Sequence, residues 1–118
     1  MSQDENAEIQ LTFSRTVTPG QGYREIKSYV LDGKITQVIF HFPPGCHALV
    51  DMALSKDEKQ FYPLQGYIAL DNATPVCYVD ATYYANEPLE LEVRNRDAGN
   101  SHTPTCIVTI RFKKPEWW

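Results

Sequence analysis

The sequence lacks the features of a nucleic-acid-binding or membrane-spanning protein. It carries 11 Lys and Arg residues against 15 Asp and Glu residues, a formal net charge of −4, whereas a nucleic-acid-binding domain usually has a basic surface. No apolar run approaches the ~20 residues that a membrane-spanning helix needs. Residues 1–8 are polar and acidic, so we expect no signal peptide and synthesis in the cytoplasm. We expect neither a nucleic-acid partner nor a membrane partner.

Cysteine is scarce, and the spacing of the cysteines suggests neither a disulfide framework nor a metal site. The chain has three cysteines, Cys46, Cys77 and Cys106, and no two of them are in a C-x-x-C arrangement. Secreted proteins held together by disulfides usually have an even number of cysteines. We therefore expect three reduced, metal-free thiols, with Cys77 and Cys106 packed inside strands as small hydrophobic residues.

Helical periodicity is nearly absent, and short alternating segments take its place. Between Ile9 and Phe112, apolar and polar residues alternate, with turn sequences such as Asp32-Gly33 between the segments. Eight or nine short strands are typical of an all-β fold. We predict an antiparallel two-sheet sandwich of the jelly-roll type, with an immunoglobulin-like sandwich as the alternative. The alternation assigns these residues to the core: Phe40, Val50, Leu70, Leu91, Val108 and Ile110.

The 118 residues suit one domain with charged ends. We predict a flexible acidic arm over 1–8, a β-sandwich domain over 9–114 and an aromatic tail over 115–118. Within the domain we expect a strand at Tyr67–Leu70 and a charged loop, or a one-turn helix, at Ser55–Gln60. Asp4, Glu5 and Glu8 are acidic, whereas the segment from Arg111 to Lys114 is basic. Such ends are either solvated tails or arms that contact the opposite charge on a neighbouring subunit.

Two segments hold residue types that suit a metal or a nucleophile. His41, Cys46 and His47 surround a Pro-Pro-Gly turn, and His102 lies four residues before Cys106; imidazole and thiolate groups are zinc ligands. A cupin-like metal enzyme would need a His-x-His pair, which is missing. Adjacent Cys46 and His47 would point to opposite faces of a strand, which leaves His102 as the base for a Cys46 nucleophile. We expect no catalytic residue, metal or cofactor, and we keep an enzyme as an alternative.

Aromatic residues are abundant, with seven Tyr, five Phe and two Trp. Tyrosine suits protein interfaces and stacks on sugar rings. Two tryptophans follow Pro115, which ends strand pairing, so their rings must cover a patch on this chain or on another. We expect an interface that includes Tyr62, Tyr83, Tyr84, Trp117 and Trp118, with a weaker, salt-sensitive contribution from the acidic arm.

Five segments form an ordered pattern of strands and turns: Gly33–Val38, Phe42–Gly45, Leu64–Tyr67, Leu89–Asn95 and His102 to Ile110. Over about residues 30–112 this pattern resembles small jelly-roll proteins of phage and virus particles, of the head-decoration or spike type. The resemblance implies a non-enzymatic homo-oligomer that binds a capsid protein or another virion protein. The alternative is a carbohydrate- or ligand-binding sandwich that uses a Tyr-rich face.

Overall fold

The computed structural model describes residues 5–117 and contains eight β-strands in two antiparallel sheets. The strand bounds are β1 (Asn6–Ser14), β2 (Gly22–Lys27), β3 (Gly33–His41), β4 (Val50–Lys56), β5 (Lys59–Tyr62), β6 (Val76–Tyr83), β7 (Leu89–Asn95) and β8 (Thr105–Lys113). Sheet 1 has the order β1-β8-β3-β6, and sheet 2 has the order β2-β7-β4-β5. Within residues 5–117 no helix has the length and apolarity needed to cross a membrane.

The strand pairs are nested along the chain. β1 pairs with β8, β2 with β7, β3 with β6 and β4 with β5, all antiparallel. These are the pairs of one long antiparallel ribbon that folds back at the β4–β5 turn. Two further pairs, β3 with β8 and β4 with β7, roll that ribbon into two sheets. This is jelly-roll pairing, so the predicted jelly-roll-like sandwich is confirmed.

Alternation along each strand places apolar side chains between the sheets. Five of the six predicted core residues are fully buried: Phe40, Val50, Leu91, Val108 and Ile110. The prediction for Leu70 is wrong, because its side chain is 37% exposed. No strand forms at Tyr67–Leu70; only Ile68 bonds to the sheet, in an isolated bridge to Met52. Leu70 therefore lies on a surface connection, where an alternating pattern carries no information about burial.

The charged segment at Ser55–Gln60 is a hairpin turn between β4 and β5, which corrects the predicted loop or one-turn helix. Asp57 and Glu58 have φ angles of 50° and 67°. Positive φ at both central residues is the geometry of a two-residue type I′ turn, whose twist matches that of the flanking strands. Lys56 and Lys59 face each other across this turn.

The oppositely charged ends of the chain lie side by side in the same molecule. β1 begins at Asn6, so the last residues of the predicted arm belong to a strand, and Glu8 is the cross-strand neighbour of Arg111. The backbone N–H of Lys114 donates to the carbonyl oxygen of Glu5 at 2.8 Å. This pairing accounts for the uneven charge without a neighbouring subunit. Asp4 and the residues before it lie outside the described residues.

Truncation to alanine should reduce the free energy of unfolding much more at the buried Leu91 than at the partly exposed Leu70. Leu91→Ala should reduce the free energy of unfolding by about 2–5 kcal/mol, because it leaves a cavity between the sheets. Leu70→Ala should reduce it by less than about 1 kcal/mol, because that side chain is already partly in water. Urea unfolding of both variants is the measurement, and similar losses at the two sites would contradict this assignment.

Candidate functional site

The residues considered as metal ligands do not converge on one point, and no hydrogen bond joins Cys46 to His102 among the described residues. His41 Nδ1 lies 2.8 Å from the Thr74 hydroxyl, whereas His47 Nδ1 lies 3.7 Å from an Asp71 carboxylate oxygen in an exposed turn. Cys46 is fully buried, and this burial, with smaller effects of Asp71 and Asp97, raises the pKa of its thiol. A raised pKa disfavours the thiolate, which is the nucleophilic form. Among residues 5–117, no three His, Cys, Asp or Glu side chains are grouped as a metal site would require.

His102 belongs to a buried polar cluster in the loop between β7 and β8. Its Nε2 atom lies 2.9 Å from Asp97 Oδ2. The other oxygen of Asp97 accepts hydrogen bonds from the backbone N–H groups of Gly99, at 2.9 Å, and Asn100, at 3.3 Å. The hydrogen bond from Gly99 and then that from His102 lower the pKa of Asp97 to about 2. The carboxylate is thus held in its charged form, where it organises the loop.

Asn95 completes this cluster and ties it to a second segment of the chain. Its amide nitrogen donates to the carbonyl oxygens of Val17 and Thr18, both at 3.2 Å, and of Asn100, at 2.9 Å. His102 and Val17 also exchange both backbone hydrogen bonds. The contacts with Val17 and Thr18 join the connection between β1 and β2 to the end of β7 and the loop after it, so the cluster closes one end of the sandwich. The role of Asn95 was not predicted, because its partners Val17 and Thr18 are distant in sequence.

The outer face of sheet 2 carries a network of paired charges. The buried Asp51 carboxylate accepts from Arg94 Nη2 at 3.0 Å and from Arg96 Nε at 2.8 Å. The Arg94 guanidinium lies 3.8 Å from the centroid of the Tyr67 ring, and the Tyr67 hydroxyl donates to Glu92. Alternation of apolar and polar residues along β7 places Arg94 and Glu92 on a solvent-facing side of the strand, but it gives no indication of Asp51 or Arg96.

Arg24 extends this network across β2 and β7. Its guanidinium nitrogens lie 3.3 Å from Glu90 and 2.7 Å from Glu92. Each arginine of the network is therefore matched by a carboxylate of the same chain. Such a surface joins neighbouring strands and leaves no concentrated charge for an ionic ligand.

The outer face of sheet 1 carries four neighbouring apolar residues, Ile39, Val76, Tyr78 and Ile107, here called the apolar strip. Ile39 is the cross-strand neighbour of both Ile107 and Val76, and Tyr78 lies one row away on β6. Tyr78 is 80% exposed and Val76 is 43% exposed. Beside the strip, Thr109 is buried, and its hydroxyl oxygen has no hydrogen-bond partner among the described residues. The strip was not predicted, because it depends on which strands are neighbours.

A groove of about 640 Å³ lies on this same sheet, where β3 bulges. Lys34, Arg111 and Lys113 contribute positive charge, whereas Asp32 and Asp80 contribute negative charge. Lys34 Nζ lies 3.3 Å from Asp80 Oδ1, and both side chains are exposed. Because residues of both charge signs line the groove, it does not favour an anionic or a cationic ligand. The groove is therefore not a binding site for a charged ligand.

The residues of the predicted aromatic interface do not share one surface. Tyr83 is fully buried: its hydroxyl accepts from the backbone N–H of Tyr29 at 2.8 Å and donates to the carbonyl oxygen of Glu87. It is a core residue, and its assignment to an interface is wrong. Tyr62 is half-buried against Phe40, with ring centroids 5.7 Å apart. Tyr84 and Trp117 are exposed, and Trp118 lies outside the described residues.

The tyrosines also do not form the single face that a carbohydrate-binding surface would need. Tyr67 lies against the charged network of sheet 2, and Tyr78 lies on the opposite sheet. The predicted Tyr-rich face is therefore absent from residues 5–117.

The three cysteines are free and differ in accessibility, and a thiol reagent should detect this difference. Cys46 and Cys106 are fully buried, whereas Cys77 is half-buried on β6. Burial, followed by a smaller effect of Cys77, raises the pKa of Cys106. In the native protein without reductant, Cys77 should react first and the other two slowly; three thiols should react in denaturant. Fewer than three thiols in denaturant would contradict the prediction of free cysteines.

The Asp97 cluster should make stability depend on acid pH. The pKa of Asp97 is lowered from 3.8 to about 2 in the folded protein, so its contribution is complete above about pH 4 and is lost as the pH falls towards 2. In urea unfolding, the wild-type midpoint should fall more steeply across this range than that of Asp97→Asn. Asp80→Asn, at an exposed carboxylate, should follow the wild type; identical pH profiles for wild type and Asp97→Asn would contradict this role.

Comparison with known proteins gives a likeness of fold alone. No protein-family description and no curated protein matches the chain. Among solved structures, FlhE is 13% identical, with a TM-score of 0.50 over 94% of this chain and 100% of FlhE. The Yersinia pseudotuberculosis-derived mitogen YPM is 10% identical, with a TM-score of 0.53 over 93% of this chain and 92% of its own. These two likenesses support an all-β fold. They do not support the expected resemblance to phage and virus proteins, because neither structure is of such a protein.

Proposed function

We propose that this protein is a non-catalytic assembly subunit, a component of a phage or virus particle that acts as a homo-oligomer. The observation that supports this function is the apolar strip on the outer face of sheet 1. The outer face of an antiparallel sandwich is ordinarily polar, and neighbouring exposed apolar side chains are typical of a protein contact surface. Contact with another protein of the particle would remove Val76 and Tyr78 from water.

The arrangement of the reactive residues is consistent with a binding role. His41 contacts Thr74, whereas Cys46 and His102 have Asp97 as a common neighbour but form no hydrogen bond with each other among the described residues. The largest polar clusters join loops or strands of this chain. Nucleophilic catalysis would need a nucleophile and a base within hydrogen-bonding reach of each other. Burial raises the pKa of the Cys46 and Cys106 thiols. Asp97, beside His102, accepts a hydrogen bond from the backbone N–H group of Gly99.

The carboxyl-terminal tail supplies a second contact in this proposal. Trp117 is 78% exposed and follows the end of β8 by only a few residues. A tryptophan ring buried at a protein contact contributes a large apolar area. Together with the jelly-roll fold and the resemblance to particle proteins, this ring favours an assembly role over a carbohydrate-binding role.

The proposal is tested on particles purified from the strain that carries the gene. The chain should be present in them, and the purified chain should sediment with particles from a gene deletion. Val76→Thr with Tyr78→Thr should weaken this binding by about tenfold or more, because it removes the apolar contact. Deletion of residues 115–118 should weaken it further.

Thr82→Ser is the matched control, because it changes an exposed residue of the same strand outside the strip. It should leave the binding unchanged. Absence of the chain from the particles, or equal binding by the strip variant and the control, would overturn the proposed function.

A further inference from the structure

Among residues 5–117, the two open sheets have four edge strands, and three of these strands carry features that discourage pairing with another chain. β2 places the charged side chains of Glu25 and Lys27 on its inward face. β5 has four residues and an irregular register, and β6 has a bulge opposite β3. Inward charges, short length and bulges are known protections of sheet edges.

β1 is the edge strand that lacks these protections. It has nine residues in unbroken register with β8, without a bulge. It contains no proline or lysine, and Glu8 is its one charged residue. A long, regular edge of this kind is a template for a further strand.

One hydrogen bond fixes which backbone groups of β1 point to the free edge. Because Lys114 N–H donates to the carbonyl oxygen of Glu5, the odd-numbered residues of this antiparallel ladder are bonded to β8. The even-numbered residues Glu8, Gln10, Thr12 and Ser14 therefore direct their N–H and C=O groups away from β8. Their side chains are exposed on the outer face of sheet 1.

We infer that β1 pairs with β1 of a second copy of this chain, antiparallel and about a twofold axis at Gln10. This inference rests on the proposed homo-oligomer and names its contact surface. In this register Gln10 faces Gln10 of the second copy, and Glu8 faces Thr12. All even-numbered positions of the strand are then paired, and the two Glu8 carboxylates are kept apart.

The apolar face of β1 supports the same register. Ile9 and Leu11 point towards the core but are only partly buried, because they lie at the margin of the sandwich. Pairing about Gln10 brings Ile9 of one copy opposite Leu11 of the other, and Ala7 opposite Phe13. Cross-strand apolar pairs of this kind stabilise a sheet, and burial of the remaining apolar area favours association.

Self-pairing also has a consequence for the apolar strip. A twofold axis between antiparallel neighbours is perpendicular to the sheet, so both copies present the outer face of sheet 1 on the same side. The dimer would then offer two strips to one partner, and two linked contacts bind more tightly than one. A peptide from another protein could also add a strand to this edge, but β1 itself supplies compatible side chains, Leu11 opposite Ile9 and Thr12 opposite Glu8, which favours a second copy.

The first test is a disulfide at the twofold axis. Gln10→Cys should form a covalent dimer under mild oxidation, because Cα atoms of a hydrogen-bonded pair lie about 5.5 Å apart, within the range of a disulfide. Ser14→Cys is the matched control, because it would face Asn6 rather than itself. It should give no more dimer than the wild type, whose own cysteines set the background.

The second test removes one outward N–H. Thr12→Pro leaves the hydrogen bonds between β1 and β8 in place, and it should reduce disulfide formation by Gln10→Cys to the background and make the reduced chain monomeric by sedimentation velocity. Thr12→Val should preserve both.

Equal disulfide yields from Gln10→Cys and Ser14→Cys in an oligomeric chain would overturn the β1 contact alone, whereas a monomeric wild type would overturn the homo-oligomer itself. A peptide that binds this edge of a monomer would also overturn the inference.

Discussion

The nested antiparallel pairing of β1 with β8, β2 with β7, β3 with β6 and β4 with β5 is the constraint on which the rest of the structure depends. β8 lies between β1 and β3, so one register decides which of its residues enter the core and which form the outer face. A shift of one residue would exchange these faces. The same register places the acidic amino-terminal segment beside the basic carboxyl-terminal segment.

This pairing leaves the sheets open, and the open edges connect the fold to the proposed function. Sheet 2 has its outer face occupied by an internal network of arginines and carboxylates. Sheet 1 has the apolar strip and an unprotected edge at β1. The polar groups on the outer face of sheet 2 are thus paired within the chain, although Ile26 is exposed there. The outer face of sheet 1 carries the larger set of neighbouring apolar residues, which is suited to contacts with other molecules. This difference between the two sheets is the structural basis of the proposed assembly role.

The sequence predicts the fold well because alternation reports directly on burial within long strands. Leu91 and Val108 were assigned correctly for this reason. Leu70 was not, because alternation also occurs by chance in surface connections. The apolar strip could not be predicted, since Ile39 and Val76 become neighbours only through strand order. Tyr83 was assigned to an interface because tyrosine is common at protein contacts, but the fold buries its side chain between the sheets.

The most direct test of this account is residue-resolved amide hydrogen exchange along β1 at a protein concentration that favours association. If a second copy covers the free edge, the amides of Gln10 and Thr12 should be as well protected as those of Ile9 and Leu11, which are bonded to β8. The protection of Gln10 and Thr12 should fall on dilution. A strict alternation at every concentration, with Ile9 and Leu11 protected and Gln10 and Thr12 exchanging rapidly, would show that the edge is open to water and would contradict the account.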